Sequence, residues 1–164
     1  MHDDPLRTTS LGMVRYSHEF MEAALVVDEI IGKRPGFEIV APIPVLYLVG
    51  HSIELSLKAF LLHNGVPLGE LRSKRHFGHS LKTCLRKAVE LGLLSHVQFS
   101  GQEEGVFEFL DDLYSTKQLE YIVTGTKHFP VFGLVELFAV KLFNAVSTLV
   151  GFQKQLTGYV NAKP

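Results

Sequence analysis

At 164 residues and 46% apolar content, the chain can bury one substantial core but is short for two domains, so residues 1–164 are expected to form one. Its 16 basic and 17 acidic side chains leave a formal net charge of -1, which excludes a global electrostatic footprint for nucleic acid and leaves only local patches. The single cysteine, Cys84, excludes an internal disulfide, and the start Met-His-Asp-Asp-Pro lacks the basic and apolar regions of a signal peptide; a reducing, cytoplasmic setting is expected.

From about Ser10 to Lys33, apolar side chains recur at helical spacing (Leu11, Val14, Phe20, Ala24, Val27, Ile31), and Arg34-Pro35-Gly36 ends the run. Pro42-Ile43-Pro44 opens a second helix that continues to His63-Asn64-Gly65, where Asn and Gly suit a C-terminal cap. A loop from Val66 to Gly78 holds the densest basic cluster, Arg72-Ser-Lys74-Arg75-His76. A third helix starts after Ser80, with Leu81, Leu85, Ala88 and Leu91 inward and Lys82, Arg86 and Lys87 outward. Residues 103–114 read as a short helix with Val106, Phe107, Leu110 and Leu113 inward, followed by a turn at Thr124-Gly125. Pro130 opens a last helix expected to run to about Leu156 and to end near Gly158. Without alternating strand patterns, these elements predict an all-α, up-and-down bundle of four to six helices.

Residues 39–62 and 131–152 are apolar enough to raise membrane insertion. Glu54 with Lys58 interrupts the first run and Glu136 with Lys141 the second, at about 2.5–3.5 kcal/mol per charge in lipid, so packed helices and no membrane contact are expected.

Within the second helix, His51, Glu54 and Lys58 stand at i, i+3 and i+7 and share one face, while Leu46, Leu48, Ile53, Leu57 and Phe60 cover most of the remaining circumference. The helix therefore reads as buried nearly all round, and charges lodged there must be paired or used.

The segment Tyr47-Leu-Val-Gly-His51-Ser-Ile-Glu54-Leu-Ser-Leu-Lys58-Ala-Phe-Leu-Leu, a loop, and Phe77-Gly78-His79-Ser80-Leu81 opening a helix together resemble the HEPN superfamily; Tyr114 to Tyr121, a Gly turn and the last helix extend the likeness. The resemblance implies a helical bundle that often forms homodimers and occurs in prokaryotic defence and toxin-antitoxin systems. Some members are metal-independent endoribonucleases, and others are non-catalytic binding or antitoxin modules. Catalytic members carry Arg and His with four to six residues between them near the start of a late helix. No Arg follows Arg86 here, and Lys127-His128 is a poor substitute. Arg72 and His79 match the spacing formally but lie before the third helix, so they are weak catalytic candidates.

Three chemistries fit the His51, Glu54, Lys58 and His79 group. It can be a structural ion pair with core histidines. It can be a polar pocket in which Lys58 holds a phosphate, Glu54 fixes the lysine and a histidine donates a proton. A metal site is the third, but a lone His-x-x-Glu element falls short of the paired motifs of bundle metal centres, so neither metal nor other cofactor is expected. Arg72, Lys74, Arg75 and His76 form either a solvated charge run or, with the N-terminus of the helix after Ser80, a phosphate clamp. Tyr114, Lys117 and Tyr121 offer a stacking face or belong to the core. Cys84 reads as packing. The candidate ligand-binding set is His51, Glu54, Lys58, Arg72, Arg75, His79, Lys117 and Tyr121, and the expected function is a non-catalytic nucleotide- or RNA-binding module. The alternatives are a metal-independent endoribonuclease and a protein-binding, antitoxin-like scaffold whose last helix presents Phe138, Leu142, Ala145 and Leu149 to a partner.

Overall fold

A computed structural model describes residues 7–158; the Met-His-Asp-Asp-Pro start lies outside them. Among the described residues six α-helices follow in order: α1 Ser10–Ile31, α2 Ile43–His63, α3 Leu68–Arg72, α4 Leu81–Glu90, α5 Gly101–Ser115 and α6 Phe132–Val150, with a 3-10 turn at Leu93–Ser95. No strand occurs among the described residues, and the chain is an all-α bundle.

Helix α2 is the axis of the fold and packs against α1, α4, α5 and α6. Its apolar residues point in nearly every direction, so Leu46, Val49, Ile53, Leu57, Phe60 and Leu61 are all buried. Pro42 and Pro44 flank its first residue, where missing N–H groups cost nothing. Gly65, at φ 87°, takes the left-handed turn that lets the Val66 and Gly65 amides cap the Leu61 and Leu62 carbonyls.

Helices α1 and α2 run antiparallel, locked by a buried serine contact. The Ser17 hydroxyl lies 2.8 Å from the Ser52 carbonyl and 2.8 Å from the Ser56 hydroxyl, while the Ser52 hydroxyl donates to the Ser17 carbonyl at 2.9 Å. Small side chains permit the close approach, and reciprocal hydrogen bonds satisfy the buried hydroxyls. The buried face of α1 is Met13, Val14, Ser17, Met21, Ala24 and Leu25, whereas Leu11, expected inward, is exposed, and Phe20, Val27 and Ile31 are half-buried. The polar Ser17 and His18 belong to the core, so the apolar pattern alone misplaces that face.

Helices α5 and α6 also pair antiparallel: Phe107 packs on Phe138, and Lys141 reaches back to Glu103 at 2.8 Å. Glu103 closes a capping box with Ser100 at the start of α5. The last helix is shorter than expected. Gly151, at φ 80°, ends it at Val150, and the following segment folds back so that the Leu156 amide and carbonyl bond the Asn144 side chain. Part of the Val66–Gly78 loop is helical as α3, which buries Leu71. Helices α2 and α6 are long and apolar enough to cross a membrane; 67% and 50% of their most apolar windows are buried inside the fold.

The last turn of α5 carries a backbone cost. Lys117 sits at φ 62° as the left-handed residue of a cap in which the Gln118 amide bonds the Leu113 carbonyl and the Lys117 amide the Tyr114 carbonyl. Lys117→Gly relieves that cost and is expected to stabilise the protein by about 0.5–1 kcal/mol in urea unfolding, whereas Lys117→Val is expected to destabilise it.

Candidate functional site

Three elements converge on the carboxylate of Glu54. Helix α2 supplies Glu54, His51 and Lys58; the turn before α4 supplies Gly78 and His79; the end of α5 supplies Tyr114. Lys58 Nζ donates to Glu54 Oε1 at 2.6 Å and to the Gly78 carbonyl at 2.7 Å. The Tyr114 hydroxyl donates to Glu54 Oε2 at 2.6 Å. His79 Nδ1 lies 3.2 Å from the same oxygen, and His51 Nδ1 lies 3.0 Å from the Tyr114 hydroxyl and 3.7 Å from Glu54 Oε2.

Burial works against the charge on Glu54, but the His51 ring, the Lys58 ammonium and the Tyr114 hydroxyl outweigh it and hold the carboxyl far below its ordinary range. Burial and the neighbouring Glu54 charge push the Tyr114 hydroxyl well up, so it remains a donor. An ionised carboxylate only accepts hydrogen bonds, which assigns the proton of His79 to Nδ1. The Tyr114 hydroxyl spends its proton on Glu54, which assigns the proton of His51 to Nδ1 as well. Both imidazoles, when neutral, therefore keep the Nε2 lone pair uncommitted to the hub.

Exposure divides the group into an inner and an outer layer. Glu54 is 4% exposed at the side chain and Lys58 12%, whereas His51 is 29% and His79 53% exposed. His51 is held by an edge-on contact with Phe20 at 4.4 Å and stacks parallel to Tyr47. The inner layer sets the geometry, and the two histidines face outward. No family model, curated protein or solved structure matches this chain.

The face-sharing of His51, Glu54 and Lys58 inferred from spacing is present, and His79 joins them across the bundle. The remaining candidates lie elsewhere. Arg72 Nη2 bonds the Thr8 hydroxyl at 3.0 Å, so its partner differs from that of His79 despite the formal spacing. Lys117 pairs with Glu120 at 3.4 Å, and Tyr121 is exposed beyond the end of α5. Arg75 lines a cleft of about 290 Å³ together with His76, Arg86, Lys87, Glu70 and Glu90. There the two basic patches of the sequence, one on the loop and one on the outer face of α4, meet.

Two expectations are corrected. The N-terminus of α4 is not free for an anion: the Leu81 and Lys82 amides bond Asp111 Oδ1 at 2.7 and 3.2 Å, and the Thr83 amide bonds the Ser80 hydroxyl at 3.1 Å. A carboxylate of the chain itself already occupies that position. Of the last-helix face offered to a partner, Phe138 and Leu142 are buried in the core, and Ala145 and Leu149 are half-buried. Cys84 is packing, as expected; burial pushes its thiol up to about 12, so no thiolate forms at neutral pH. Among the described residues, no group of three or more His, Cys, Asp or Glu could hold a metal ion.

Tyr114 and Gly50 are the parts that sequence reasoning misses. Position in the chain offers Tyr114 a stacking face or the core, not the carboxylate. Gly50 sits inside α2 where a Cβ would lie 2.6 Å from Tyr114 Cδ2, so only glycine admits the tyrosine ring. An isolated glycine within an apolar helical run signals such a close approach.

Gly50→Ala is expected to displace Tyr114 and to cost about 1–3 kcal/mol in urea unfolding, with the tyrosine fluorescence changed in the native baseline. A carboxyl held low by folding binds fewer protons than in the unfolded chain. Its contribution is therefore present above the ordinary value of 4.5 and is lost as pH falls below it. Urea midpoints on both sides of that value are expected to drop on acidification, and Glu54→Gln is expected to be less stable at neutral pH with a flatter acid limb.

Proposed function

We propose that the chain is a HEPN-like, non-catalytic module that binds a nucleotide or single-stranded RNA in a prokaryotic defence or toxin-antitoxin setting in the cytoplasm. The observation that carries this reading is the convergence of Arg75 and His76 with Arg86 and Lys87 around one cleft, in a protein whose overall charge is only -1. A basic groove of this kind tracks phosphates and makes binding salt-dependent. Glu70 and Glu90 on the same rim limit the field, and Lys87 is already paired with Glu90 at 3.0 Å. Arg75 and Arg86 therefore carry the phosphate contacts. His79, three residues beyond His76 and half-exposed, is the hub residue placed to meet the ligand, while Lys58 serves as the counter-ion of Glu54.

One observation favours the metal-independent endoribonuclease as a second reading. His51 and His79 are both oriented through Nδ1 by the same Glu54 and Tyr114 pair, which leaves two Nε2 atoms for acid-base work. In that reaction one imidazole takes the ribose 2′-hydroxyl proton as the oxygen attacks phosphorus, and the other protonates the departing 5′-oxygen, leaving a 2′,3′-cyclic phosphate.

Fluorescence polarisation with labelled single-stranded RNA of about ten nucleotides tests both. Saturable binding is expected, weakened at least tenfold by Arg75→Glu with Arg86→Glu, each reversal lowering the log-log salt slope by about 1. RNA is expected to stay intact. Cleavage in the presence of chelator that disappears in His79→Ala selects the ribonuclease, and absence of both binding and cleavage overturns the nucleic-acid reading.

A further inference from the structure

A groove of about 940 Å³ lies between α1 and the segment that follows α6, a volume within the range of small-molecule sites. Its far wall is fixed. The Leu156 amide and carbonyl bond the Asn144 side chain at 2.8 and 2.9 Å, and Gln155 Nε2 bonds the Ser147 hydroxyl at 2.8 Å, so this segment is committed to α6 and leaves the space beside α1 open. Most of the lining is apolar: Leu25 and Leu156 contribute as buried residues, and Val26, 54% exposed, and Ala23 border the groove from α1.

One buried polar ring interrupts that lining. His18 is 5% exposed and borders the groove, with its ring beside those of Phe143 and Phe152 at centroid distances of 5.6 and 5.7 Å. Its Nδ1 lies 3.2 Å from Glu22 Oε2, and an ionised carboxylate only accepts, which assigns the proton of the neutral ring to Nδ1. Nε2 then carries a lone pair. Among the described residues no donor reaches it, and it is not sealed from solvent, so the lone pair opens on the groove that the ring borders. What satisfies such an acceptor is a hydroxyl donor. An anion is disfavoured, because Glu22 stands in the lining and no Lys or Arg is among the described residues there; a cation finds that single carboxylate already turned to His18. We propose that this groove binds a neutral, apolar small molecule bearing one hydroxyl, of the phenol class, whose body lies on Ala23, Val26 and Leu156 and whose hydroxyl donates to His18 Nε2. Phe20, which meets the histidine hub, lies two residues on and so about 200° round α1 from His18, which separates this site from the hub.

Fluorescence titration with 2-naphthol tests the proposal. The chain has no tryptophan, so emission excited beyond the tyrosine band comes from the probe alone. Saturable binding is expected, about threefold to tenfold tighter than that of 2-methoxynaphthalene, which keeps the apolar body and lacks the donor. His18→Phe keeps an aromatic ring and removes the acceptor, and is expected to bind naphthol and ether alike. Val26→Glu, at an exposed position, sets a charge on the apolar wall and is expected to weaken both by about tenfold or more. Equal affinity for naphthol and ether in the unsubstituted chain, tighter binding of 2-naphthoate or of 1-naphthylmethylammonium, or no saturation up to the solubility limit of the probe each overturns the proposal. So does a preference for naphthol that persists in His18→Phe, or binding that Val26→Glu leaves unchanged, since either places the probe elsewhere. Binding that appears only when residues 159–164 are deleted overturns it by giving the groove to the chain itself.

Discussion

Everything around the centre of this protein follows from the cost of holding one charge inside it. Glu54 lies in the most buried helix, where an unpaired carboxylate is not tolerated. Truncating one partner of a buried pair costs about 3–5 kcal/mol, and such pairs persist when further hydrogen bonds satisfy the remaining lone pairs. Here both oxygens are supplied: Oε1 by Lys58, and Oε2 by Tyr114 and His79. Lys58 is satisfied in turn by the Gly78 carbonyl, which fixes the turn leading into α4. A single ionised group thereby ties α2 to α4 and α5, and the bundle's register at that end depends on it.

The same constraint explains small features that otherwise look unrelated. Tyr114 reaches the carboxylate only because Gly50 leaves room for its ring. Asp111, one turn earlier on α5, caps the first amides of α4 and so sets the height at which His79 meets Glu54. A second, smaller version occurs on the far side, where Glu103 serves at once as capping residue of α5 and as partner of Lys141 on α6. In both places a carboxylate joins a helix terminus or turn to a neighbouring helix, and apolar packing fills what lies between.

Much of this was legible in the sequence. Proline and glycine bounds located α1, α2 and α4 closely, and the i, i+3, i+7 spacing of His51, Glu54 and Lys58 put them on one face because those relations are local to one helix. The inward set of α5 was equally local: Val106, Phe107, Leu110 and Leu113 are buried as expected. What stayed hidden was long-range. Nothing near Tyr114 announces a carboxylate sixty residues away, and nothing near Ser80 announces that Asp111 will fill the helix end. The end of α6 was misplaced because two glycines compete as caps, and the fold-back onto Asn144, a tertiary contact, favours Gly151 over Gly158. The burial of Ser17 and Ser52 was unreadable for the same reason: hydroxyls enter a core only when another helix brings their partners.

His51 is where the inner layer and the outer surface meet. Its Nδ1 reads the Tyr114 hydroxyl, and therefore the state of the Glu54 network, while its ring is clamped edge-on by Phe20 from α1. A side chain with one fixed hydrogen bond and one fixed aromatic contact has little freedom left, so Nε2 is presented in a set direction rather than sampled. His79 lacks such a clamp: it is 53% exposed, and its contacts are Glu54 and the Tyr114 ring edge. The two imidazoles thus differ in exposure and in the contacts that hold them, though both adjoin one carboxylate. The fixed contacts of the hub therefore lie on α2 and α5, and its exposed edge lies at the turn before α4, which the carboxylate holds through His79 and through the bond of Lys58 to the Gly78 carbonyl.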